Sequence, residues 1–165
     1  SGCGLGGPMA VKTAALSVAP LQVARGRAAD FAWGQTPYGT IQRRPERQLL
    51  LTGSRAHFED EGLWVEANPA LATGGVSWGW IKAFAESRRK LEALPLERLD
   101  LPVLMLLAAR EKLVDNKAAI RVATRMGACR THIVPRAAHE LLREAEPARH
   151  EVLQHIRDFA LEVAR

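Results

Sequence analysis

Leu101-Pro102-Val103-Leu104-Met105-Leu106-Leu107-Ala108-Ala109, with Asp100 before it and Arg110-Glu111-Lys112 after, decides the fold. The run is short, continuously apolar and closed at both ends by charge. That is the pattern of a strand buried on both faces, as in a parallel sheet covered by helices. Toward the C-terminus, Lys117 to Met126 reads as a helix ending at Gly127. Arg130-Thr131-His132-Ile133-Val134-Pro135 reads as a second strand, and Arg136 to about Ala145 as a loop. Pro147 opens a last helix with Val152, Ile156, Phe159, Ala160 and Val163 on one stripe. Toward the N-terminus, Ser77 caps a helix that Pro95 closes, with Trp80, Ile81, Phe84 and Leu91 at helical spacing. The order helix, strand, helix, strand, helix is βαβ grammar, and the fold class is α/β.

Residues 8–75 do not follow that grammar. Pro8 suits a helix start and Pro20 its end or a kink. Gly26, Gly34, Pro37, Gly39 and Pro45 make residues 26–48 irregular. Ser54 caps a helix to about Glu66, with Phe58, Leu63 and Trp64 on one side, and Asn68-Pro69 breaks it. The expected division is a helical cap over residues 1–75 and part of an α/β core over 76–165. Two strands cannot make a stable open sheet alone, so the remaining strands are expected outside this chain.

The chain has 165 residues, 47% of them apolar and 25% charged, which fits a folded globular protein and excludes a disordered one. Two cysteines, Cys3 and Cys129, make neither a disulfide framework nor a thiolate zinc site. No apolar run approaches the roughly 20 residues of a membrane span. Ser1 to Pro8 lacks the basic and apolar regions of a signal peptide, and the expected location is cytoplasmic. Gly2, Gly4 and Gly7 satisfy G-x-G-x-x-G in letters, but no strand precedes them, so no dinucleotide is expected. The net charge of +5 is spread mostly over dispersed arginines, with clusters at Arg43, Arg44 and Arg47 and at Arg88, Arg89 and Lys90. It reads as a solvated surface, with peripheral contact at an anionic membrane as a further expectation.

In parallel α/β sheets the working residues gather at the carboxyl ends of the strands. Glu111 and Asp115 follow the first strand, and His139 follows the second. An acid after one strand and a histidine after the next match the back two members of a hydrolase triad in the order Ser, Asp/Glu, His. The carboxylate would fix the imidazole tautomer, and the imidazole would carry the nucleophile's proton to the leaving group. Asp115 is the rival acid, with capping of the helix near Lys117 as its other role. His132 inside a strand reads as structural. His150 and His155 have the wrong spacing for one helical face, so no metal site is expected. Trp33, Trp64, Trp78 and Trp80 suit either core packing or the lining of an acyl-chain tunnel.

"PVLMLLAAREKLVDNKAA" followed by "AAHELLREAEPARHEVLQHIRDF" resembles the C-terminal half of the α/β-hydrolase group of lysophospholipases and monoacylglycerol lipases, also called serine aminopeptidase S33-like or hydrolase-4. The likeness is in particular to the bacterial lysophospholipase L2 branch. "NPALATGGVSWGWIKAF" resembles the segment in which that family leaves its cap and re-enters its core. The resemblance implies Glu111 as the triad acid, Asp115 as the alternative, and His139 as the base. The family's nucleophile sits in a G-x-S-x-G elbow, which this sequence lacks. The nucleophile serine and the oxyanion loop are therefore expected upstream, in a longer polypeptide, and the chain alone is expected to be inactive. The implied function is a serine hydrolase of acyl esters such as lysophospholipids or monoacylglycerols, with no metal or organic cofactor and no nucleic-acid partner. The alternative is a non-catalytic basic module binding nucleic acid or anionic lipid.

Overall fold

The computed structural model describes residues 9–39 and 44–165. The expected helix start at Pro8, the glycine motif at 2–7, Cys3 and Arg43 lie outside the described residues. The chain forms two compact units that interleave in sequence. One is built from Arg44–Pro69 with Pro95–Arg165, the other from the described residues up to 39 with Ala70–Leu94. The boundary expected at residue 75 falls within a segment of the second unit.

In the second unit, helix α1 (Met9–Ala24) packs on helix α4 (Trp78–Ala93). Pro20 lies inside α1 and does not end it. A proline removes one backbone bond, and here the apposed face of Ala15 and Ala19, closed against Trp78 and Ile81, holds the helix together. Ser77 caps α4, accepting from Trp80 N at 3.2 Å. The buried residues of α4 are Trp78 and Ile81, whereas Trp80, expected on the apolar stripe, is 45% exposed. It stacks on Phe84 at 5.3 Å between ring centroids.

In the first unit, strands β1 (Val103–Ala108) and β2 (Cys129–Val134) pair in parallel, from Val103 opposite Cys129 to Ala108 opposite Val134. Helix α5 (Asn116–Ala123) connects them, and helix α6 (Ala148–Val163) follows. β1 is not buried on both faces throughout. Its last residues, Leu107 and Ala108, are buried, while Val103 to Leu106 are only partly covered and Ile133 of β2 is 49% exposed. A sheet of two strands offers too little neighbouring surface to cover both faces, and burial concentrates where α6 and the following loop close over Ala108, Val134, Ala137 and Val152.

Two helices precede the sheet in this unit. Helix α2 (Pro45–Leu51) was not expected, because Pro45 reads as punctuation but here stands at the first helical position, where its missing N–H costs nothing. Helix α3 (Arg55–Ala67) starts at the Ser54 cap, which accepts from His57 N at 3.2 Å. Its expected apolar side is not buried: Leu63 and Trp64 are 62% and 51% exposed. Polar contacts hold it instead. The carbonyl of Arg143 lies 3.1 Å from His57 Nδ1, the Arg143 guanidinium donates to His57 O, and its charge sits 5.3 Å from the centre of the Trp64 ring.

Candidate active site

Hydrogen bonds continue past the carboxyl ends of β1 and β2 and join the two turns that follow. Ala109 N donates to Val134 O at 3.1 Å, and Arg110 N to Ala137 O at 2.9 Å. Asn116 Nδ2 donates back to Ala108 O at 2.8 Å, closing the first turn onto its strand. The second turn reverses at Arg136, whose φ of 60° lies in the left-handed region that L side chains avoid. That reversal buries Ala137 and Ala138 completely and delivers His139 beside the first turn. Arg136→Gly is expected to raise the unfolding free energy by about 0.5–1 kcal/mol and Arg136→Val to lower it by about 1–2 kcal/mol. Urea denaturation checks both, and a glycine variant less stable than wild type contradicts the strain.

The two turns bring Glu111 and His139 together, with Glu111 Oε2 2.7 Å from His139 Nδ1. The Glu111 side chain is only 5% exposed, and its other oxygen accepts from Leu113 N at 2.7 Å and Val114 N at 3.2 Å. Burial pushes its pKa up, but the bond to His139 and the two backbone amides outweigh burial and hold it below the usual carboxylate range. The folded state thus binds the Glu111 proton more weakly than the unfolded chain does. Its stabilisation is complete above the unfolded carboxylate range and is lost as pH falls through the folded value. The stability gap between wild type and Glu111→Gln is therefore expected to narrow from pH 7 toward strongly acid pH in urea titrations. A gap that stays constant contradicts the assignment.

Asp115 is engaged at the start of α5. One of its oxygens accepts from Lys117 N at 2.9 Å and Ala118 N at 3.2 Å, which makes it the N-cap of α5. These amides, that of Ala118 foremost, keep its pKa low against a smaller effect of burial. His139 is itself one-third exposed and borders an open apolar depression of about 610 Å³, lined by Leu104, Leu106, Val152, Ile156 and Phe159.

The tryptophans are divided between the two units. Trp33 meets Trp78 edge-on at 4.9 Å within the second unit, whereas Trp64 belongs to the first. The residue that sequence reasoning missed is Glu144. Its carboxyl group is buried and accepts from Ala138 N at 2.6 Å, Ala145 N at 2.7 Å and Gly53 N at 2.5 Å. It pins the backbone next to His139 to the segment between α2 and α3. His139 N and Glu140 N add bonds to Leu50 O and Leu51 O.

A family model described as serine aminopeptidase, S33, matches residues 7–146. The chain belongs to that family. It is 29% identical over 92 residues to a probable lysophospholipase L2 of Haemophilus influenzae, a match covering 56% of this chain and 29% of that protein. A crystal structure of a soluble variant of monoglyceride lipase from Saccharomyces cerevisiae, in complex with a substrate analog, superposes with a TM-score of 0.62. That likeness covers 91% of this chain and 49% of the lipase at 15% identity, and it shows the fold: this S33-family chain carries part of an α/β-hydrolase fold. The chain spans about half the length of the lipase, and its match to the lysophospholipase covers under a third of that protein. Among the described residues no helix is long and apolar enough to cross a membrane.

Proposed function

We propose that this chain supplies the acid and the base of a serine hydrolase that cleaves acyl esters of the lysophospholipid or monoacylglycerol type. The observation that carries the proposal is the 2.7 Å contact between Glu111 and His139 at the carboxyl ends of two adjacent parallel strands. Glu111 orients the imidazole and stabilises its charged form. The far nitrogen, Nε2, takes the proton of a serine hydroxyl as it attacks the ester carbonyl, then returns it to the leaving alcohol. The acyl-enzyme is cleaved by water activated in the same way. The serine and the oxyanion donors come from residues outside this chain, and the chain alone is inactive. Residues 1–75 serve as the cap of the complete enzyme, and the net positive charge favours approach to an anionic lipid surface from the cytoplasm.

The test is fatty-acid release from lysophosphatidylcholine, monoacylglycerol and p-nitrophenyl butyrate by the complete polypeptide, with and without His139→Ala. Release from at least one substrate that disappears in the variant supports the proposal. Release that persists unchanged in the variant, or none from any substrate, removes it.

A further inference from the structure

Strand alternation points Arg130, His132 and Val134 of β2 at α6. The Arg130 guanidinium lies 5.1 Å from the Phe159 ring centre and binds Glu162 at 2.8 Å, while Val134 packs in the core with Val152. Between these contacts His132 meets two residues of α6 that share a face, Glu151 and His155, four apart on the helix. His132 Nε2 is 2.6 Å from Glu151 Oε1. The His132 and His155 rings lie 3.9 Å apart between centroids, tilted by 36°. One ligand atom from each of the three side chains falls within 4.8 Å of the other two, and all three residues are half-buried. A hydrogen bond between His132 and Glu151 alone would not need a second imidazole packed on the first.

We propose that His132, Glu151 and His155 form a binding site for a divalent transition-metal ion of the zinc class, with solvent in the fourth position, cross-linking β2 to α6. Imidazole nitrogens select zinc, nickel or copper over magnesium and calcium, which require several oxygen ligands where this site offers one carboxylate. With both imidazoles neutral, the carboxylate gives the cluster a single negative charge that attracts a dication. Ligand atoms about 2.0–2.2 Å from a tetrahedral zinc stand roughly 3.3–3.6 Å from one another. The 2.6 Å contact therefore opens by about 1 Å or less, and the wider ones, all within 4.8 Å, close by at most about 1.5 Å. The site shares no residue with the Glu111–His139 pair and stands whether or not the chain serves an ester hydrolase.

The experiment is calorimetric titration of the purified complete polypeptide with ZnCl2, alongside CoCl2 followed by visible absorption. One equivalent is expected to bind with a Kd of about 10 µM or tighter. Bound cobalt should show the visible bands of a four- or five-coordinate ion. Affinity should fall by about tenfold or more in His155→Ala and in Glu151→Gln, and stay within about twofold in His139→Ala. Both substitutions on α6 are at half-buried positions, and circular dichroism confirms that the variants fold. His132→Gln is a third arm that places the ligand on β2. The proposal is overturned if zinc fails to bind at about 1 mM, if binding survives both α6 substitutions, or if it is lost in His139→Ala.

Discussion

Glu144→Ala is expected to lower the unfolding free energy by about 3–5 kcal/mol, the largest stability loss from a single side chain in the unit that carries β1 and β2. The Glu144 side chain is 2% exposed, and three backbone amides, those of Gly53, Ala138 and Ala145, converge on its two oxygens. The Thr52 hydroxyl lies 3.4 Å from one of them and itself donates to Arg143 O at 2.6 Å. Truncation leaves three donors facing a void. An unmade buried bond costs about 1–3 kcal/mol, and water entering the space recovers part of that, which places the total in the lower half of the summed range. Glu144→Gln keeps the volume but turns one acceptor into a donor facing another donor, so it should lose an intermediate amount. The same anchor explains Gly53. A Cβ there would lie 2.6 Å from Glu144 Oε1, too close to stay, and the carboxylate cannot swing away without breaking its bonds. Gly53→Ala should therefore cost about 1–3 kcal/mol. The double variant with Glu144→Ala should cost less than the sum, because both damage one contact. Urea unfolding monitored by far-ultraviolet circular dichroism reads these differences. A Glu144→Ala variant within about 1 kcal/mol of wild type would mean that the three amides find other partners.

Which features could be read from the sequence follows from how local their causes are. β1 was legible because its apolar run and charged ends are contiguous, and the Ser54 and Ser77 caps because a cap acts over three residues. Glu111 and His139 were legible as neighbours only through the parallel-sheet pattern, which places the ends of adjacent strands side by side. Asp115 offered the same residue type at nearly the same place, and only the directions of two backbone amides separate its capping position from Glu111. Other features were set by distant partners. Pro20 continues α1 because of a face closed by α4, and α3 leaves its apolar side exposed because Arg143 holds its first turn through polar contacts. Glu144 stands among Arg143, Ala145 and Glu146, where sequence predicts a solvated loop, and one of its three amide donors, that of Gly53, lies some 90 residues away. No local signal marks it. His132 and His155 come together through strand alternation meeting a helix face, whereas spacing along α6 alone relates His155 only to His150, which lies off its face.

On the proposed function, His139→Ala in the complete polypeptide is expected to reduce kcat for ester cleavage by about 10⁴- to 10⁶-fold, with KM changing little. In the proposed mechanism the imidazole carries the proton in both acyl transfer steps, so its loss removes stabilisation made only in the transition state. Glu111→Gln keeps the shape of the site but presents an amide where a carboxylate faced His139 Nδ1 at 2.7 Å. The imidazole then loses both its fixed tautomer and the charge that stabilises its protonated form, and kcat should fall by about 10³- to 10⁴-fold. Because the two residues act as a unit, the double variant should be no slower than His139→Ala alone. Asp115→Ala separates the rival acids. Its carboxylate holds the first turn of α5, so its loss should cost about 1 kcal/mol of stability and leave kcat within about threefold of wild type. Initial rates with p-nitrophenyl butyrate, with each variant's fold checked by circular dichroism, distinguish the outcomes. If Asp115→Ala abolishes turnover while Glu111→Gln retains it, the acid assignment moves to Asp115. If neither acid matters while His139→Ala is inactive, His139 acts without a carboxylate partner, and the buried contact between Glu111 and His139 is structural alone.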